Sequence, residues 1–138
     1  MKANSIEGYR ELEHTADWQL AVWAPDFPTL CVQAAYGMYH LADTRLKNQA
    51  RLVRELEVQA QDRESLLVAF LTELLYLNEV EGLGFDEIII QSAGTQLKAQ
   101  MEGAAIESQT KEIKAVTYHG LEIREGPHGL EANIVFDV

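Results

Sequence analysis

The sequence predicts an α+β fold: an antiparallel β-sheet sandwich with two packed helices. Three features carry that reading. Several stretches alternate polar and apolar residues with period two, two others carry the 3.6 period of a helix, and most predicted strands are joined by turns too short for a parallel crossover. The 138 residues, 47% hydrophobic and 24% charged, suffice for one core and read as a single domain spanning 1–138.

The elements follow in order. Tyr9 to His14 is a short strand. Trp18, Leu20 and Val22 alternate with Gln19, Ala21 and Trp23 in a second run, and the break at Thr15-Ala16-Asp17 fits one bent strand as well as a hairpin-like pair. Asp26 is a helix cap and Pro28 suits the first turn, after which Leu30, Ala34, Met38 and Leu41 carry a helix to about Ala42. Leu56, Val58 and Ala60 alternate with Glu55, Glu57 and Gln59 as a strand with one buried face. Asp62 opens a second helix, whose stripe of Leu66, Leu67, Phe70, Leu71, Leu74 and Leu75 runs to about Asn78. Phe85 to Gln91 reads as a buried strand, Ser92 to Thr95 as a turn, and Gln96 to Glu102 as the next strand. The small, polar run Gly103 to Thr110 reads as a loop and Ala115 to Arg124 as a strand. The last strand, Leu130 to Val138, pairs antiparallel with it across the turn Gly126-Pro127-His128-Gly129, giving six or seven strands in all.

Composition excludes several functions. A net charge of −11, from 22 acidic and 11 basic residues, argues against tight direct nucleic-acid binding, which rests on lysine and arginine contacts to phosphate. An acidic surface favours cations or a basic protein partner, although much of such charge serves solubility. No apolar run approaches the ~20 residues of a membrane span, and Met1 to Glu7 lacks the apolar core of a signal peptide, so no membrane association and a cytoplasmic location are expected. The single cysteine, Cys31, rules out an internal disulfide and lies inside the first helix as a packing residue. There is no phosphate-cradling glycine loop, nucleophile elbow or HExxH, and Gly82-Leu83-Gly84 is only a connection between elements.

Three clusters carry chemistry. The first, Glu13-His14-Thr15-Ala16-Asp17, lies at a strand break, and the second, Lys114 to His119, opens a strand. The third is Asp137-Val138, where a strand running into the last residue puts the Val138 α-carboxylate beside the Asp137 side chain. Asp17, Asp137 and that carboxylate would form an oxygen-only set suited to a hard cation such as Ca²⁺ or Mg²⁺. A nearby lysine competes as the neutralising charge, and Asp17 as a turn residue bonding its own backbone is the plainer alternative. His14 reads equally as a half-buried structural histidine, and His119, in phase with Thr117, Leu121 and Ile123, as one facing the core.

Glu13-His14-Thr15-Ala16-Asp17, the helix Leu66 to Leu77, Lys114-Ala115-Val116-Thr117-Tyr118-His119 and Val135-Phe136-Asp137-Val138 together resemble the archease family, in its order and approximate spacing, from about Tyr9 to Val138. The chain departs from the family's pattern in Trp18-Gln19 after Asp17, in a short Gly103–Thr110 loop and in Asp26-Phe27-Pro28 at the first helix. The resemblance implies a non-catalytic protein cofactor that activates an RtcB-type RNA ligase in tRNA splicing and RNA repair, promoting its guanylylation and multiple turnover. It also implies a divalent cation, calcium with magnesium as second candidate, held by Asp17, Asp137 and Val138. His14, Lys114 and His119 fall in the matching motifs as partner-site or supporting residues. Two other classes stay open at this point: a metal-dependent phosphoester hydrolase using Asp17 and Asp137 with His14 or His119 as acid and base, and a general adaptor or chaperone-like module.

Overall fold

The computed structural model describes residues 6–12, 17–127 and 129–138. Within them the order is β1 (Gly8–Leu12), β2 (Trp18–Ala24), α1 (Phe27–Leu41), β3 (Arg45–Leu46), β4 (Leu52–Gln59), α2 (Arg63–Glu81), β5 (Leu83–Ala93), β6 (Gln96–Ser108), β7 (Ala115–Val116), β8 (Arg124–Gly126) and β9 (Gly129–Asp137). The strands form two antiparallel sheets. One runs β1-β2-β9-β7, with β8 also on β9, and in the other β6 is flanked by β4 and β3 on one side and by β5 on the other. The helices join the two sheets: α1 packs on β1, β2, β9 and β5, and α2 on β4, β5, β6 and β7.

Both helices begin where their caps predict. Asp26 accepts the Thr29 N–H at 2.8 Å with Pro28 in the first turn, and Asp62 accepts the Ser65 N–H at 2.7 Å. The α1 helix stops one residue short of Ala42, and α2 runs to Glu81, three residues past Asn78, before the Gly82 N–H closes on the Asn78 carbonyl. Backbone donation from Ser65 holds the Asp62 carboxyl below the usual carboxylate range. Because the folded value lies below the unfolded one, this contribution to stability is present above the unfolded value and is lost as pH falls through the folded one. Asp62→Ala is therefore expected to lower the melting temperature at neutral pH, and the difference from wild type should close in strong acid; thermal denaturation at both pH values checks it.

Leu20, Leu30, Ala34, Leu66, Leu67, Phe70, Leu71, Leu74, Leu97, Ile134 and Phe136 are completely buried, and among the described residues the core holds no polar or charged side chain. Cys31 is packed among them, and burial raises its thiol pKa well above the usual value. The Ile88-Ile89-Ile90 run obeys the pleat: Ile88 and Ile90 point inward and Ile89 is 67% exposed. The ambiguous N-terminal runs are an antiparallel pair, with Leu12 opposite Gln19 and Gly8 opposite Trp23.

Two expectations fail for identifiable reasons. Residues 103–108 are not a loop, because β6 continues through them, opposite Phe85, Gly84 and Leu83 of β5. The residues are small because the strands crowd at a bulge between Phe85 and Glu87: a Cβ on Gly103 would lie 1.9 Å from the Gly84 carbonyl oxygen. Nor is 115–124 one strand. After Val116 the chain turns, with the Leu121 N–H donating to the Tyr118 carbonyl and Gly120 at φ +64°, a conformation that favours glycine. The turn is held from both sides, since the Thr117 N–H and hydroxyl donate to the Val135 carbonyl while the Ile123 N–H donates to Glu64 at the start of α2. The strand count rises to nine among the described residues because β3, β7 and β8 are only two or three residues long. The final hairpin is antiparallel as expected, with Gly126 opposite Gly129.

Candidate functional site at the end of the first sheet

Strand β9 is flanked by β2 on one side and by β7 and β8 on the other. Its last paired positions are Phe136 opposite Trp18 and Asp137 opposite Ala115. Asp17 directly precedes Trp18, the partner of Phe136, and Lys114 directly precedes Ala115, the partner of Asp137. The Lys114 N–H donates to the Asp137 carbonyl at 2.8 Å and fixes this end of the ladder. Two residues inside, Thr117 repeats the attachment at the Val135 carbonyl through both its N–H and its hydroxyl, each at 3.0 Å.

Strand periodicity assigns the faces. Phe136 and Val116 are buried and Trp18 packs against the core, so they mark the inner face at this end. Asp137, one position out of phase, falls on the outer face, and Asp17 lies in the bend just before β2; both are exposed. On the inner rim, the Lys111 ammonium lies 5.3 Å from the Trp18 ring centroid.

The structure thus brings together Asp17, Asp137, Val138 and Lys114, residues spread over most of the chain. His119 is not on the core face: it is exposed in the turn after β7, with its N–H on the Thr117 hydroxyl at 3.2 Å. His14 lies outside the described residues. Among the described residues, no three His, Cys, Asp or Glu side chains converge as metal ligands. The donors at the sheet end are carboxylate oxygens and Cys31 is buried in the core, so the chemistry fits a hard, oxygen-seeking cation and not a thiophilic one.

Sequence reasoning missed a second feature. A groove of about 740 Å³ lies between the end of α1, the exposed flank of α2 and the segment 109–116. Its polar floor is tied: the Asn78 and Gln109 amides donate to each other at 2.9 and 3.1 Å, and the Thr44 hydroxyl donates to Gln109 at 3.1 Å. No local pattern announces it, because the segment that forms one wall reaches α2 only in the folded chain.

An α+β domain with this helix pair between two antiparallel sheets matches known proteins. The model of the Archease protein family (MTH1598/TM1083) matches residues 9–138, and the chain belongs to that family. It is 32% identical over 129 residues to a protein archease of Thermococcus gammatolerans, covering 88% of this chain and 91% of the relative. It is 33% identical over 139 residues to a protein archease of Methanosarcina barkeri, covering 94% and 95%. The solution structure of Methanobacterium thermoautotrophicum protein 1598 superposes with a TM-score of 0.71 at 26% identity, covering 95% of this chain and 99% of that one.

Proposed function

We propose that this protein is a non-catalytic activator of an RtcB-type RNA ligase, promoting its guanylylation and hence repeated turnover. The observation that supports the reading is the pairing of β2 and β7 with β9, which sets the chain just before Trp18 and the Lys114 backbone on either side of the end of β9. Asp17, Asp137 and the Val138 carboxylate would hold a divalent cation there, calcium with magnesium as alternative. With three protein carboxylates, water would complete a shell of about 6–8 oxygens, and affinity would be modest.

The tip acts by position and charge. A bound cation would offset the repulsion between the carboxylates and supply a positive centre at the contact. The carboxylates and the overall charge of −11 steer the protein towards a basic, metal-containing ligase site and set its orientation. The partner is a protein and not RNA, since the same charge opposes the phosphate backbone. A cytoplasmic setting, where such a ligase works on RNA, goes with this reading, and no helix among the described residues is long and apolar enough to cross a membrane. The cysteine thiol, buried and with its pKa raised, is no nucleophile.

The test is a turnover assay with an RtcB-type ligase, GTP and RNA ends bearing a 2′,3′-cyclic phosphate and a 5′-hydroxyl, with RNA in large excess over ligase. Adding this protein is expected to carry product well beyond one equivalent of ligase. Equal product with and without it would remove the reading, and phosphoester turnover by the protein alone would favour the hydrolase instead.

A further inference from the structure

We propose that the groove between α2 and the segment 109–116 is a second contact surface for the same ligase, and that it receives a lysine or arginine side chain flanked by aliphatic residues. This rests on the reading of the sheet end as the partner-facing tip.

Continuity is the first argument. Segment 109–116 forms one wall of the groove and also touches the tip: Lys114 lines the groove while its N–H holds the Asp137 carbonyl, and Lys111 lies over Trp18, next to Asp17. The groove lies on the helix side of this sheet and the Asp137 carboxylate on its outer face, and segment 109–116 joins the two at the sheet end.

Charge and shape fix the occupant. Glu79 on α2 and Glu112 on the segment line the groove against one cation, Lys114, and both glutamates are exposed. That balance opposes a phosphate and favours a cationic head. The amides of Asn78 and Gln109 already bond each other, which leaves the buried Tyr39 hydroxyl as an unpartnered polar atom of the lining. Leu75 and Ile113 supply apolar walls for a long alkyl stem. At the rim Tyr76 is 55% exposed. An exposed tyrosine in a groove lined by two carboxylates suits a guanidinium or ammonium, by ring contact and ion pairing together.

The experiment titrates fluorescently labelled protein with purified ligase at low and physiological salt. The variants are Tyr76→Ala, Glu79→Gln/Glu112→Gln and Glu79→Lys/Glu112→Lys, all at exposed positions and checked by thermal denaturation. The charge reversal is expected to raise Kd about tenfold or more at low salt and to flatten its salt dependence. Tyr76→Ala should raise Kd several-fold. Calcium binding to the isolated variants, read by calorimetry, should match wild type. Wild-type affinity for the ligase in all three variants would overturn the groove while leaving the tip standing. A wild-type protein that neither binds nor stimulates the ligase would remove both.

Discussion

Gly103→Ala is expected to destabilise the fold by about 3 kcal/mol, because nothing around Gly103 can move aside cheaply. The added Cβ would meet the Gly84 carbonyl oxygen at 1.9 Å, the Phe85 Cα at 2.7 Å and the Gly84 carbonyl carbon at 2.8 Å, all of them backbone atoms. Relief requires β5 and β6 to part at the bulge or the pairing to slip. A one-residue slip would turn Ile88 and Ile90 to solvent and bring the exposed Ile89 inward. Urea denaturation should show a lower midpoint with little change in slope. A midpoint equal to wild type would mean that the two strands do not approach as closely as Gly103 implies.

Asp137→Ala is expected to do the opposite: to leave stability intact and to cut stimulation of the ligase about tenfold or more. The side chain is exposed, so removing it costs no packing. The ladder survives, because Lys114 and Ala115 attach to the Asp137 backbone and not to its carboxylate. Melting temperature and ligase turnover measured on one preparation separate the two effects. Undiminished stimulation would take the Asp137 carboxylate out of the mechanism.

Much of this fold was legible in the chain, for local reasons. Asp26 with Pro28, and Asp62 ahead of a wide leucine stripe, signal helix starts that depend on nearest neighbours alone. The alternation of Leu56, Val58 and Ala60 reports a half-buried strand in the same way, although pairing with β6 carries that strand back to Leu52. The failures lie where distant contacts overrule local composition. Small residues at 103–105 look like a loop, but they are small because another backbone passes against them. Residues 117–123 look like a strand, but Thr117 and Glu64 satisfy their backbone elsewhere.

The site divides along the same line. Asp17, Lys114 and Asp137 stood out as residue types in resembling motifs, yet no spacing says that chain segments so far apart become neighbours. The pairing of β2 and β7 with β9 does that. His119 was misplaced because its phase was extended from a strand that ends at Val116. The groove could not be read at all, since Glu79 and Glu112 are ordinary surface glutamates until α2 and segment 109–116 are packed together.

The most direct measurement is a Mn²⁺ titration of the isotope-labelled protein followed by NMR, since a paramagnetic ion broadens only the amides near it. The account predicts selective loss of the Asp17, Trp18, Asp137 and Val138 signals at low metal, reversed by excess Ca²⁺ and weakened in Asp17→Asn. Broadening centred instead on Asp86, Glu87 and Glu102, the acidic patch already engaged by Arg51, with the end of β9 untouched, would contradict it.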